Sequence, residues 1–119
     1  MSEVNEQDYE LAFQIITYAG DAQSSAIEAI AACENYDFDK AAELINAANK
    51  SYIKCHEIQT NMFTNEANGQ KTELNIILVH AQDHLTMANL RIGEAKNIMN
   101  LYKKIQELEN REEKNEQQN

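Results

Sequence analysis

Apolar residues recur at three- and four-residue spacing in three segments of the chain, and this spacing predicts helices rather than strands. The stripe of the first segment comprises Ala12, Ile16, Ala19, Ala26 and Ile30, with Phe13 and Ile27 beside it. The stripe of the second segment comprises Ala41, Ile45, Ala48, Tyr52, Cys55, Gln59 and Met62. Each segment is therefore expected to bury one side of a helix.

Two polar breaks separate the three segments. In the break ENYDFDK, Asp37 is predicted to cap the second helix, because its carboxylate can accept a hydrogen bond from a free N–H of the first turn. In the break NEANGQK, Gly69 is predicted to end that helix in the left-handed conformation. The third helix is predicted from about Gln70 to about Gln106. Because the second break is short, helices two and three should be antiparallel neighbours.

The first half of the third segment is apolar on more than one face. Its apolar residues are Leu74, Ile76, Ile77, Leu78, Val79, Leu85, Met87, Leu90 and Ile92. A helix in a three-helix monomer needs only one buried stripe, so this segment is expected to pack against other subunits as well. The polar stretch REEKNEQQN, residues 111–119, is predicted to be a disordered tail, which leaves residues 1–110 as the domain.

Length and composition support a single all-α domain. The chain has 119 residues, three glycines and no proline, so it lacks the turn signals that a β-sandwich or barrel needs. Alanine, glutamate, leucine, isoleucine and lysine together make up 58 of the 119 residues, and these residues favour helices. The predicted fold is an antiparallel bundle of three long helices.

The net charge of the chain disfavours two classes of partner. A net charge of −10 disfavours nucleic acids and anionic membrane surfaces, which are bound by clustered Lys and Arg. No uninterrupted apolar run reaches about 20 residues, so no membrane insertion is expected. Cys33 and Cys55 lie in helical, alanine-rich segments and are interpreted as small core residues of a protein in a reducing compartment. The predicted location is the cytoplasm.

The stretch LVHAQDHL carries the candidate chemistry. On a helix, His80, Asp83 and His84 share one face. The zinc-protease pattern HExxH requires Glu at the position of Ala81, and the Glu-x-x-His pattern of di-iron bundles is absent too, which argues against a catalytic metal site within one chain. Two interpretations fit the spacing equally well. Either both histidines are structural residues whose hydrogen bonds are formed within the protein, or one of them is a nucleophile, since a neutral imidazole can accept a phosphoryl group. Asp83 needs a partner from outside its own helix.

Three stretches of the chain carry a family resemblance. AFQIITYAGDAQSSAIEAI, HEIQTNMFTNEANGQK and LVHAQDHLTMA resemble the lactose/cellobiose-type IIA components of the bacterial phosphoenolpyruvate-dependent sugar phosphotransferase system. The resemblance follows the order of the three helices and extends over nearly the whole chain except its two ends. It implies a three-helix subunit that assembles into a nine-helix homotrimer. It also implies that a histidine receives a phosphoryl group from the phosphocarrier protein HPr and passes it to a cysteine of the IIB component.

The resemblance also implies roles for individual residues. His80 matches the phosphorylated histidine, which carries the phosphoryl group on Nε2, and Asp83 matches an aspartate at the trimer axis. Three copies of Asp83 would share one metal ion, expected to be Mg²⁺, because converging carboxylates repel one another without a cation. Supporting roles are implied for the residues that match the rest of the two motifs, which are Gln82, His84, His56 and Gln59.

The implied function is transfer of a phosphoryl group during uptake of a β-linked disaccharide of the lactose, cellobiose or chitobiose type, with the membrane component IIC as an indirect partner. Gln23 departs from the resemblance, because arginine is expected after AG-x-A; Cys55 and Thr86 replace an expected alanine and methionine. The loss of the arginine motivates an alternative function. In this alternative the chain is a regulatory or interaction protein that keeps the trimeric fold without a role in transport.

Overall fold

A computed structural model describes residues 6–118, and these residues form three long α-helices. Helix α1 spans Glu6–Glu34, α2 spans Phe38–Ala67 and α3 spans Ile76–Gln118. The part of the chain that the structure describes contains no strand, so the all-α prediction is confirmed. The helices run antiparallel in chain order. The bundle measures 79 × 21 × 18 Å, because the 43 residues of α3 extend over about 64 Å.

Short polar side chains and one glycine fix the ends of the helices. The Asp37 carboxylate accepts a hydrogen bond from the Lys40 N–H at 3.1 Å, which caps α2 as predicted. Gly69 follows α2 with a φ of 91°, so the predicted left-handed end is confirmed as well. Helix α3 begins later than predicted. Asn75 Oδ1 accepts a hydrogen bond from the Leu78 N–H at 2.8 Å, which closes the first turn of α3 at that point.

Helix α1 lies between the other two helices and packs along both of them, whereas α2 and α3 contact each other much less. Its buried residues are Ala12, Ile15, Ala19, Ala22, Ala26, Ala29 and Cys33. The predicted stripe is therefore rotated, and Ile16 and Ile30 lie at its half-buried edge. The cause is the central position of α1, because a helix that contacts two neighbours buries a wider face. The alanines on this face let both neighbours approach closely.

Helix α2 buries the predicted stripe. Ala41, Ile45, Ala48, Cys55 and Met62 are buried, and Tyr52 and Gln59 are half-buried on the same side. Both cysteines are free thiols within the core. Burial raises the pKa of Cys55 to about 11, and it raises the pKa of Cys33 as well, so both thiols are protonated at neutral pH. The interpretation of the cysteines as small core residues is confirmed.

Helix α3 presents two apolar faces. Leu78, Leu85 and Ile92 are buried against the other helices. Asp83 lies on the opposite side, since the nine residues to Ile92 make about two and a half turns. Large apolar side chains are exposed on this outer side. Ile76, Val79, Met87 and Leu90 lie at three- and four-residue spacing around Asp83, and Leu101, Ile105 and Leu108 continue the row after the polar residues Glu94 and Asn97. This row, together with Asp83, is called the outer stripe below.

The polar end of the chain continues α3 to Gln118, where the sequence predicted a disordered tail from residue 111. Glutamate, lysine and glutamine have high helix propensity, and Arg111 binds Glu107 one turn earlier at 2.6 Å. All of the side chains at positions 111–118 are exposed, so local helix preference alone accounts for this extension. Residues 1–5 of the predicted domain 1–110 and residue 119 lie outside the described residues, and the domain boundary stays a prediction. Among the described helices, none has the length and apolarity to cross a bilayer.

Adjacent alanines on α2 offer a matched test of this packing. Ala48 is fully buried and Ala47 is exposed. Leucine has nearly the helix propensity of alanine, so the two substitutions differ in packing alone. We expect Ala48→Leu to lower the free energy of unfolding by about 1–3 kcal/mol, and Ala47→Leu to change it by less than about 0.5 kcal/mol. Urea denaturation followed by circular dichroism at one protein concentration measures both values. Equal effects of the two substitutions would contradict the core described here.

Candidate functional site

Two histidines face each other on the first half of α3. His80 and His84 are one helical turn apart, and their Nε2 atoms lie 3.0 Å from each other. The ring centroids are 4.5 Å apart with the ring planes at 89°, so the rings meet edge to face. His80 is exposed, whereas His84 is half-buried. The predicted shared face is therefore observed, and only His80 of this pair is open to an incoming group.

A glutamine of α1 reaches this pair. The Gln23 Nε2 atom lies 3.4 Å from Nδ1 of His84, so each ring nitrogen of His84 has a neighbour. Gln23 was not among the predicted site residues, although it stood out as a departure from the family pattern. The contact joins residues 61 positions apart in the sequence, which is why the periodicity of one helix could not predict it.

A pair of glutamines links α2 to α3. Gln59 Nε2 donates a hydrogen bond to Gln82 Oε1 across the two helices. Of the two residues of α2 that were assigned to the site, Gln59 is therefore brought to the predicted segment of α3. His56 is exposed and its ring lies against Tyr52 of its own helix, with 5.8 Å between the ring centroids.

Asp83 and His80 line the same open groove. The groove has a volume of about 500 Å³ and its other lining residues are Leu74, Asn75, Ile76 and Val79. Within residues 6–118, Asp83 has no hydrogen-bond or ion-pair partner in its own chain, and Arg91 instead binds Glu94 at 3.1 Å. No group of three His, Cys, Asp or Glu side chains among the described residues is arranged to hold a metal ion. Asp83 thus contributes one carboxylate per chain.

A second groove adjoins the first along its apolar wall. It has a volume of about 300 Å³ and is lined by Met62, Phe63, Glu66, Thr72, Leu74, Leu78, Val79 and Gln82. Leu74 and Val79 separate the two grooves, and both side chains are largely exposed. The exposed imidazole of His80 is therefore bordered on this side by a broad apolar surface, which is a common feature of protein-binding sites.

The geometry limits what this site can do chemically. The facing Nε2 atoms can share one proton, because two protonated nitrogens would repel each other and two lone pairs would leave both acceptors without a donor. An exposed neutral imidazole whose Nε2 holds the lone pair is a nucleophile for phosphorus. The second imidazole, of His84, offers an N–H group that can bind an oxygen atom of the transferred group.

Comparisons with known proteins agree on one family. The sequence model of the family described as "PTS system, Lactose/Cellobiose specific IIA subunit" matches residues 10–103. The chain is 42% identical to the lichenan-specific phosphotransferase enzyme IIA component of Bacillus subtilis (strain 168), over 87% of this chain and 94% of that protein. It is 39% identical to the lactose-specific EIIA component of Lacticaseibacillus casei, over 84% of this chain and 89% of that protein.

A solved structure has the same fold. The crystal structure of the PTS cellobiose-specific enzyme IIA from Bacillus anthracis superposes with a TM-score of 0.81 at 35% sequence identity. The superposition covers 89% of this chain and 94% of that one. The matched family region includes every residue of the histidine and glutamine pairs described above, and it ends at residue 103, before the C-terminal part of α3.

Proposed function

The chain belongs to the lactose/cellobiose-specific IIA family of the sugar phosphotransferase system, and from this membership we propose that His80 is the residue that carries its phosphoryl group. As a member of this family the chain is a phosphotransferase component. It receives the phosphoryl group from phospho-HPr and passes it to the IIB component during uptake of a β-linked disaccharide through IIC. The observation that carries the assignment is the exposed His80 ring, whose Nε2 faces His84 at 3.0 Å.

The transfer consists of two substitutions at phosphorus. In the first, the lone pair of His80 Nε2 forms the N–P bond while the bond from phosphorus to HPr breaks and its electron pair stays on HPr. In the second, the cysteine thiolate of IIB forms an S–P bond while the N–P bond breaks and its electron pair returns to Nε2. The first step needs an unprotonated Nε2, and in both steps the ring carries a proton on Nδ1. Such a carrier works in the cytoplasm, which is the location we propose.

The surroundings of the two histidines favour His80 over His84 as the nucleophile. His84 is half-buried between Gln23 and His80, and both of its nitrogens have neighbours within 3.4 Å. His80 is exposed, so a donor protein can reach its ring. His84 lies close enough to the His80 ring to bind a phosphoryl oxygen. A role for Gln82, which Gln59 holds from α2, follows from the family resemblance.

The phosphate site is tested by His80→Gln, which keeps the approximate size and polarity of the side chain but lacks a comparable nucleophile. We expect this variant to take up no phosphoryl group from phospho-HPr while its helicity stays unchanged. Asn89→Gln is the control, because it places a glutamine at an exposed position of the same helix and should leave phosphorylation of His80 intact. Intact mass and peptide mapping measure the outcome. Phosphate on the His80→Gln protein, or its mapping to His84, would refute the assignment.

We infer that three copies assemble around the outer stripe of α3. Leu90 is 62% exposed and Val79 53% exposed in the single chain, and the stripe continues past the family match to Leu108. A row of exposed large apolar side chains opposite the intramolecular core is expected to be buried against another apolar surface. A second copy of the same helix supplies one, since the three- and four-residue spacing is that of a helical coiled coil. The trimer that the family resemblance implies would bury this row on its axis.

The assembly is tested by a lysine on the outer stripe. We expect wild type to have the mass of a trimer, and Leu90→Lys to dissociate it, because three lysines would be forced together on the axis. Asn89→Lys is the matched control, since Asn89 is an exposed neighbour on the same helix but about 100° away from Leu90. Light scattering at micromolar concentration measures the masses. A monomeric wild type would overturn the proposed trimer.

The position of Asp83 fits a cation shared by three subunits. The carboxylate lies within the outer stripe between apolar side chains and has no partner among the described residues of its own chain. Assembly would bring three such carboxylates out of water, which is unfavourable without a compensating positive charge. We therefore propose one Mg²⁺ per trimer at the axis. Magnesium would neutralise the three carboxylates there, and its contribution would be to the assembly rather than to phosphoryl transfer.

Asp83→Leu separates the structural role of this carboxylate from catalysis. Replacing a buried cluster of charges by packed apolar groups is often stabilising, by about 1–4 kcal/mol. We expect Asp83→Leu to raise the melting temperature in chelator and to make it independent of magnesium. Wild type should melt at higher temperature with magnesium, because a ligand that binds only the assembled state stabilises it.

The control for this experiment is Glu57→Leu, which removes an exposed carboxylate of α2 and should keep the magnesium response of wild type. Thermal melts of all three proteins with magnesium and with chelator give the comparison. The proposal would be wrong if the melting temperature of wild type did not respond to magnesium and the Asp83→Leu protein lost its assembly. Asp83 would then not be an axial carboxylate.

A further inference from the structure

A chain of polar contacts runs from α1 to the proposed nucleophile. Gln23 Nε2 lies 3.4 Å from His84 Nδ1, and His84 Nε2 lies 3.0 Å from His80 Nε2. We propose that Gln23 is a positioning residue that sets the tautomers of both histidines, so that the lone pair of His80 resides on Nε2. This inference rests on the proposed function of His80 as the phosphoryl acceptor.

The nitrogen that carries the proton in each histidine ring follows from the hydrogen-bond donor of Gln23. Gln23 presents its amide nitrogen to His84 Nδ1, and an amide nitrogen can only donate. Nδ1 of His84 must then hold a lone pair, which leaves the proton of the neutral ring on Nε2. That proton points at His80 Nε2, which must accept it and therefore holds a lone pair of its own. The proton of His80 is left on Nδ1.

The opposite tautomers would block the reaction. An acceptor at position 23 would draw the proton of His84 to Nδ1, so that His84 Nε2 would become an acceptor. His80 would then have to donate from its own Nε2, and a protonated Nε2 cannot form a bond to phosphorus. The amide of Gln23 thus decides, through His84, whether the exposed imidazole of His80 is a nucleophile.

The same chain serves the phosphorylated state. Once Nε2 of His80 is bonded to phosphorus, it no longer accepts the N–H of His84. That N–H is then available to a phosphoryl oxygen at the same place. Gln23 still keeps the proton of His84 on its Nε2 atom. Gln23 can hold this geometry because its neighbours Ala22 and Ala26 are fully buried, which fixes this part of α1 within the bundle.

Three substitutions at position 23 separate the donor from the size of the side chain. Methionine has a similar length and no N–H, glutamate has the same shape but only accepts, and arginine only donates. We expect Gln23→Arg to keep the wild-type tautomers and Gln23→Glu to reverse them. Gln23→Met should leave both rings as mixtures of tautomers.

The tautomers are read directly from nitrogen NMR of the unphosphorylated protein, labelled with ¹⁵N in histidine and recorded where both rings are neutral. Wild type should show His84 protonated on Nε2 and His80 protonated on Nδ1. His56 is the internal reference, because its ring lies against Tyr52 and should not respond to position 23. A wild-type His84 protonated on Nδ1, or the same spectra for wild type and Gln23→Glu, would overturn the proposal.

The rate of phosphoryl acceptance from phospho-HPr supplies the second measurement. We expect kcat to fall about threefold to tenfold in Gln23→Met, the value of one neutral hydrogen bond, and further in Gln23→Glu, with KM for HPr unchanged in Gln23→Met. Gln14→Met is the matched control on the same helix, since Gln14 is exposed far from the histidines in sequence and should keep the wild-type rate.

The two measurements distinguish this inference from the function on which it rests. Wild-type rates in both Gln23→Met and Gln23→Glu would overturn the positioning role while leaving His80 as the acceptor. A wild-type protein that accepts no phosphoryl group would overturn the proposed function instead. The spectra still decide the role of Gln23 in that case, because they are recorded without HPr.

Discussion

Helix α3 has to bury two opposite apolar faces, and the rest of the molecule is arranged around this constraint. One face closes the core with α1, whose alanines permit the close approach. The other face, the outer stripe, has no cover within the chain. His80 lies at the border of the outer stripe and Asp83 lies within it. In the proposed assembly His80 would meet partner proteins and Asp83 would meet further copies, so both roles would fall on the outer side of α3.

The parts of the fold that depend on local rules were predictable from sequence. Asp37 and Gly69 end their helices as expected, because capping and the left-handed conformation are properties of a few neighbouring residues. The start of α3 was missed because residues 70–74 include good helix formers, so nothing in the sequence singled out Asn75 as the residue that caps the first turn. The buried face of α1 is rotated relative to the predicted stripe because α1 contacts two neighbouring helices. The spacing of apolar residues in one segment cannot show such a tertiary effect.

The site was predictable to the same extent. The spacing of His80, Asp83 and His84 places them on one face, and the structure brings Gln59 to Gln82 from another helix as the motif suggested. The contact of Gln23 with His84 depends on how α1 is rotated, so only its departure from the family pattern marked it. Residues of one helix could be grouped from the sequence, whereas contacts between helices needed the packed bundle.

The chemistry of these neighbours suits a group that must be given away again. The side chains that bind one another around His80 are amides and an imidazole, which offer neutral N–H donors. Hydrogen bonds from charged donors are roughly twice as strong as neutral ones, so a cationic side chain in place of His84 would hold the phosphoryl oxygens more firmly. Stronger binding of the phosphorylated state would raise the barrier to the second transfer, because the carrier would have to give up that stabilisation. Neutral donors would orient the group for attack without retaining it.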